Sequence, residues 1–361
     1  MSRLPLALFC SLFLIAVALT AQDSLNAQRP PMGIDISGQW FVAYQNVEEE
    51  GQHSNQFFLR RGYVTFGKKF NDLISVRFTQ DIITDREGSD AGNIEMRLKY
   101  LYIRLKTKGM PGLGQAYLDF GMVSRPWLDF EEKINRYRLQ GTMYAERVGI
   151  MNSADFGLTF VTLLGGKLDE SYVKSVNDAF PGKYGSVSLG VYNGGGYYAL
   201  EKNNGKTLEG RLSLRPLPVQ LPGLQLTYSL ALGEGNIPEG PDWRLHLASL
   251  SYAVPAFRSM IQYVDGTGNS FGSLVDENML PRPLRGYSLF GEYTFARHFS
   301  LIGRYDLFSA RSGDTWEDGR RTIAGFCYHF LHGQKVLINA DVYDPEGHRE
   351  TVVELVAEIR F

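Results

Sequence analysis

Cysteine is almost missing from this 361-residue chain, with Cys10 and Cys327 the only two. Once a removable start carrying Cys10 is lost, Cys327 stands alone, so no intrachain disulfide framework holds the fold. Long apolar runs are missing too: behind residue 20 none approaches the roughly 20 residues that a spanning helix needs. No sign of charge dominates, since 37 Lys and Arg meet 39 Asp and Glu for a net charge of -2, which argues against a nucleic-acid partner. A chain of this length would ordinarily divide into two domains, yet no linker or low-complexity segment marks a division. The six histidines, His53, His246, His298, His329, His332 and His348, sit beside no G-x-S-x-G motif. His329 and His332 are too few ligands for a structural zinc site, so no metal and no cofactor is expected. The glycine clusters, among them Gly194, Gly195 and Gly196, lack the strand-to-helix setting of a phosphate cradle and read as turns.

The chain opens with Arg3, an apolar stretch over 4–19 interrupted only by Ser11, and small residues at Ala18, Ala21 and Ala27. That order of charge, apolar core and small-residue exit reads as a removed signal peptide over 1–21, with 27 as the alternative end. Residues 22–361 then form a single exported domain.

The strongest positive signal is alternation with period two, repeated to the C-terminus. Ile74, Val76 and Phe78 oppose Ser75, Arg77, Thr79 and Asp81; Leu224, Leu226, Tyr228, Leu230 and Leu232 oppose Gln225, Thr227 and Ser229. The last strand sets Leu355, Ala357, Ile359 and Phe361 against Glu354, Glu358 and Arg360. Many segments run ten to twelve residues, longer than the about 5–6 of soluble strands and close to the about 9–11 of tilted membrane strands. The spacing predicts strands at 33–45, 56–67, 72–83, 94–106, 114–124, 154–165, 184–193, 206–215, 223–233, 243–254, 256–265, 285–296, 299–308, 319–331, 334–344 and 350–361. This is an all-β transmembrane antiparallel up-and-down β-barrel of sixteen strands. Short connections (68–71, Pro255, 297–298, 332–333) alternate with longer ones (46–55, 84–93, 266–284, 310–318). The segment 166–183 is long where a short turn is due; it is either an insertion or a hidden hairpin, which would make eighteen strands.

Two stretches carry a resemblance. Phe58-Leu59-Arg60-Arg61-Gly62-Tyr63-Val64 followed by Ser75-Val76-Arg77-Phe78 resembles the early hairpin of the phosphate-selective porin O and P family. Pro126-Trp127, Phe130-Glu131-Glu132, Tyr137-Arg138 and Ser153-Ala154-Asp155-Phe156-Gly157 resemble that family's long loop running into a barrel strand. The terminal Phe361 resembles the usual last residue of bacterial outer-membrane barrels, where it serves as an assembly signal for the barrel-assembly machinery. The resemblance implies a bacterial outer-membrane porin, in contact with outer-membrane lipid, trimeric, passing small hydrophilic solutes or anions.

Sixteen strands close around a lumen too wide for side chains to fill. The longest connection, 125–153, falls after the fifth strand and is expected to fold inward and narrow that lumen. Trp127 and Phe130 are its expected anchors; Glu131, Glu132, Lys133, Arg136 and Arg138 are expected to face the passage, with a short helix within 128–138. Strand phase points Arg61, Arg77, Arg97, Lys99, Arg211, Arg215, Arg304 and Arg321 inward, together with Asp81, Glu95, Glu292 and Asp306. So mixed a lining reads first as charges that pair, hydrate and hold the wall rigid; a mild anion preference stays open, and a dedicated phosphate path would need a clean ladder of cations. A barrel hydrolase and a closed structural barrel are the competing classes; nothing in the sequence points to a catalytic residue.

Overall fold

The computed structural model describes residues 33–361, apart from 86–87, 90, 108–112, 331–332 and 346. The leader expected over 1–21 lies outside the described residues. Sixteen strands form one closed barrel: β1 Asp35–Glu49, β2 Gln52–Lys69, β3 Ile74–Thr84, β4 Ile94–Lys106, β5 Leu113–Ser124, β6 Ala154–Leu164, β7 Gly185–Tyr192 and β8 Thr207–Leu214. The circuit continues with β9 Leu224–Glu234, β10 Asp242–Val254, β11 Phe257–Thr267, β12 Pro283–Phe295, β13 Phe299–Ser312, β14 Thr315–Phe330, β15 Gln334–Pro345 and β16 Glu350–Arg360. Every neighbouring pair is antiparallel, and β1 closes on β16 with Val42 opposite Ala357 and Gln39 opposite Arg360. Closure leaves no free edge, as a sheet in hydrocarbon requires. Phe361 finishes the seam, exchanging backbone hydrogen bonds with Gly38 at 2.9 and 3.2 Å, while its ring covers the bare glycine.

Alternation sorts the two faces. Val42, Leu101, Leu226, Tyr228, Leu250, Ile261, Leu289, Leu301, Ile338 and Leu355 point outward and stay exposed, making an apolar belt. At one rim Phe295, Phe299, Phe326, Tyr328 and Phe330 stack with ring centroids 5.2–6.4 Å apart. An aromatic band of this kind marks the interface of a membrane barrel.

Three local features depart from simple alternation. A bulge in β2 opposite Phe41 and Val42 turns both Arg60 and Arg61 inward, and another in β4 opposite Thr79 and Gln80 turns both Lys99 and Tyr100 inward. Each bulge adds one residue to its strand and switches the phase beyond it. The expected loops 46–55 and 310–318 are paired strand instead: β1 and β2 meet at Glu50 and Gly51 (φ 50° and 78°), and β13 and β14 at Gly313 and Asp314. Their polar composition reflects water above the lipid, where backbone pairing continues.

The third departure is the 166–183 connection, which holds no hairpin. It contains a short helix, Glu170–Ser175, so the count stays at sixteen strands.

Candidate functional site

The connection from β5 to β6 folds into the barrel. It contains α1 Pro126–Ile134, a 3-10 turn Arg138–Gln140 and α2 Tyr144–Arg147. Pro126 at the first helical turn costs no hydrogen bond, because that N–H has no intrahelical partner. The two ends of the loop meet where Arg125 N donates to Ser153 O at 3.0 Å.

The apolar side of the loop decides where it lies. Trp127, Leu128, Phe130 and Ile134 pack on Trp243, Leu245, Leu247, Met260, Val264 and Leu284, all facing inward from β10 to β12. Further along, Tyr137 and Leu139 join Phe41, Phe290, Ile302, Leu337 and Val356. Buried ion pairs fix the root: Arg125 Nε donates to Glu209 Oε2 at 3.0 Å, and the Trp127 N–H donates to the other oxygen at 2.8 Å. Both charged groups are fully buried, so breaking the pair would leave an uncompensated charge at a cost of about 3–5 kcal/mol. Arg136 and the Tyr137 hydroxyl both donate to Glu292, Lys335 donates to Arg136 O at 2.9 Å, and Tyr144 Oη donates to Leu307 O at 2.6 Å. Gly286 makes room for Tyr144, since a Cβ there would collide with its hydroxyl.

The loop therefore covers the inner face of β8 to β12, and the polar cavities beside it are lined from β14 to β16 and β1 to β5. A cavity of about 360 Å³ opens on one side of it, lined by Arg60, Arg61, Arg138, Arg147 and Arg321 with Asp341, Glu350 and Glu354. On the side of the short turns a cavity of about 670 Å³ carries Arg77, Lys99, Lys133, Arg136, Arg138 and Arg360 against Asp129 and Glu132. Arg138 lines both, which puts its guanidinium at the waist; it sits 3.5 Å from Glu146 and 3.3 Å from the Tyr63 hydroxyl. A third cavity of about 820 Å³ shares Arg77, Asp129 and Lys133 and adds Arg104, Lys106 and Lys167.

Cations outnumber carboxylates in all three, but most are paired. Asp81 takes Arg61 at 3.2 Å and Arg97 at 2.8 Å; Asp119 takes Arg104 through two bonds of 2.7 Å; Asp341 takes Arg321 at 3.3 Å and Arg147 at 3.7 Å. Arg77 differs. Its guanidinium lies over the Tyr100 ring at 4.7 Å and its Nε donates to Thr79 at 3.0 Å, with no salt-bridge partner among the described residues. Lys133, which lines the same cavity, also has none among the described residues.

Several candidates lie on the inner face but outside this passage. Arg211 is buried beneath the loop, its guanidinium over Phe130 and Phe180 at 5.0 and 4.5 Å. Arg215 donates to Gly182 O, Phe180 O and Pro222 O, holding turns together. Arg304 donates to Thr142 O at 3.1 Å and to Asp306 at 2.9 Å, so both serve to seat the loop, as does Glu292. Glu95 is exposed at the start of β4. Glu131, expected to face the passage, turns to the wall instead: it is buried, accepting from Gln262 at 2.8 Å and Tyr144 N at 2.9 Å. The helical period puts it on the packed side of α1, with Trp127 and Ile134.

The residues missed are Arg60, Tyr100, Tyr102 and Arg104, all shifted inward by the two bulges, and Arg147 on α2. Two adjacent arginines at 60–61 are the one signal in the sequence, since a strict alternation would leave one of them in lipid.

A serine–histidine pair also emerges. Ser300 Oγ lies 2.8 Å from His329 Nε2, and Glu292 is nearby. The hydroxyl is fully buried, and Glu292 accepts from Ser300 itself at 3.2 Å and from Tyr137. A hydrolase needs an exposed nucleophile and an acid behind the histidine. Incubated with a small fatty-acyl ester, purified protein and its Ser300→Ala variant are expected to show the same background rate. A rate at least about tenfold above that of Ser300→Ala would make this pair catalytic.

A closed sixteen-strand barrel, apolar outside and narrowed by one long inward loop, has the fold of the porin-like outer-membrane barrels. Neither a known protein family nor a curated protein matches the sequence. Among solved structures, a loop-deleted form of OmpT, an outer membrane protein of Vibrio cholerae, aligns at TM-score 0.64 and 13% identity over 91% of this chain and 99% of that one. OmpT is also known in a trimer form. OmpF of Salmonella typhi, in complex with daunomycin, aligns at 0.62 and 11% over 90% and 97%, and an anion-selective porin from Comamonas acidovorans at 0.60 and 11% over 91% and 99%. At these identities the likeness is one of fold.

Proposed function

We propose that the chain is a passive diffusion pore of the bacterial outer membrane, admitting small hydrophilic solutes and preferring anions. One observation carries the reading: two polar cavities beside the inward loop share Arg138 in their linings, and both linings are richer in cations than in carboxylates. Confinement between low-dielectric walls focuses such a field on a passing ion. The likeness to an anion-selective porin and the sequence resemblance over 56–160 support the same reading. Most of the cations are neutralised locally, which favours a general preference over a dedicated phosphate path. The mature chain begins after the leader, residues 22–361 forming one barrel domain. It inserts through its C-terminal strand with the barrel-assembly machinery and assembles as a homotrimer, as the resemblance implies. A closed structural barrel is disfavoured because the polar cavities lie on both sides of the waist.

Planar-bilayer recording under a salt gradient tests this. Stepwise insertion is expected, with a reversal potential of the sign set by anions and a permeability ratio of about two- to fivefold. No steps from correctly folded protein would leave the closed barrel standing, and a cationic sign would sink the anion preference.

A further inference from the structure

The connection of residues 165–184, between β6 and β7, is out of scale for the side on which it lies. On that side β10 passes to β11 through Pro255 and Ala256 alone, and β12 to β13 through three residues. Its base is zipped by Lys183 N to Gly166 O (3.0 Å) and Leu168 N to Pro181 O (2.8 Å), and its helix α3, Glu170–Ser175, is capped by Asp169 accepting from Ser171 N (2.9 Å). It is a folded unit, and it reaches inward.

Six contacts tie it to the rest of the barrel. The Tyr172 hydroxyl donates to Ala253 O at 2.7 Å, and Arg215 donates to Gly182 O and Phe180 O at 3.1 and 3.3 Å. The Phe180 ring stands 6.4 Å from that of Phe130 on α1. Asn177 Nδ2 donates at 2.9 Å to Lys133 O, a carbonyl in the last turn of α1. Arg258, from the wall, donates to that carbonyl at 3.4 Å and also to Val176 O in the insert. The last four carbonyls of any helix lack intrahelical donors and carry partial negative charge, so an amide and a guanidinium are fitting partners. At its other end α1 is held by Glu209.

We infer that this insert is the positioning element for the constriction: with Arg258 it clamps the C-terminal end of α1 from below. It thereby sets where Lys133 and Arg136, next to the clamped carbonyl, stand in the passage. The inference rests on the pore reading above and adds to it a second determinant of width and ion preference, outside the loop itself.

The test replaces residues 167–182 by a two-residue turn, and separately makes the double variant Asn177→Ala with Arg258→Met, which keeps the insert but removes both donors. Barrel closure is checked by heat-modifiable migration in gels. Lys174→Ala, on the exposed face of α3, is the control and should match the parent. Both test variants are expected to show at least about twofold greater open-channel current noise and a smaller anion preference, the deletion also a higher conductance. If the deletion does not close, the double variant decides. Parent-like noise, conductance and reversal potential in the folded variants would overturn the inference while leaving the pore itself intact; absence of current in the parent would instead remove the pore reading.

Discussion

Removing residues 128–138 and joining Trp127 to Leu139 through a short glycine linker is expected to raise single-channel conductance about threefold. The segment carries the body of α1 and the Arg138 side chain that lines both cavities. The wall beneath it will not close the gap. Sixteen strands fix the radius through hydrogen bonds that run around the whole circuit and owe nothing to the loop. Deletion does expose Leu245, Leu247, Met260 and Val264 to water, at roughly 25 cal/mol per Å² of apolar surface, and it takes Arg136 and Tyr137 away from buried Glu292. The variant should therefore close as a barrel but lose heat resistance. Trp127→Ala is a milder probe of the same seat: it keeps the chain length and leaves a cavity costing about 3–5 kcal/mol. Conductance equal to the parent in the deletion variant would mean that the loop does not limit flow.

How far the sequence reaches depends on whether a residue's surroundings are local. The belt of Leu226, Tyr228, Leu289 and Leu355 is legible because lipid imposes one rule on every outward position, and sixteen strands follow from repeating it. The seat of the loop is not legible in the same way. Leu245 and Leu247 lie inside β10 while Arg244 and His246 lie outside, which inverts the rule. The inversion arises because the partner of that inner face is α1, far earlier in the chain. Arg211 shows the same limit: its phase points inward, yet whether it meets solute or the Phe130 and Phe180 rings depends on what folds over it. Bulges are a different failure. The extra residue at Arg60 or Lys99 shifts every later position by one, so Tyr102 and Arg104 read as lipid-facing by strict alternation although they turn inward. The strand ends that rise beyond the lipid, such as Asn46 opposite Asn55 and Glu48 opposite His53, look like loop because Asn, Glu and His signal water and not the absence of pairing.

Charge reversal at Arg77 and Lys133 should change the sign of the reversal potential. Their weight comes from being unpaired. A cation held about 3 Å from a carboxylate is felt at a distance only as a dipole, whereas a free charge acts over the Debye length, about 10 Å at 0.1 M salt. Arg61, Arg97, Arg104 and Arg321 belong to the first kind, so Arg321→Gln should move the potential little, and its main effect should be to leave Asp341 with Arg147 and the Gln140 amide. Arg77 and Lys133 both line the cavity of about 670 Å³, where the lining carboxylates are Asp129 and Glu132. Replacing both cations by glutamate brings that lining to four cations against four carboxylates, and because the four cations left each have an ion-pair partner, the unpaired charge there becomes acidic without touching the buried seat of the loop. Arg77 has the further cost of its stacking on Tyr100, about 0.5–1 kcal/mol, which the barrel can absorb. Recorded at about 0.1 M salt and again at about 1 M, where the Debye length is about 3 Å, the sign change should appear at the lower salt and shrink at the higher. An anionic potential that persists at low salt in the double variant would place the selectivity at Arg60, Arg61 and Arg138 instead, on the other side of the waist.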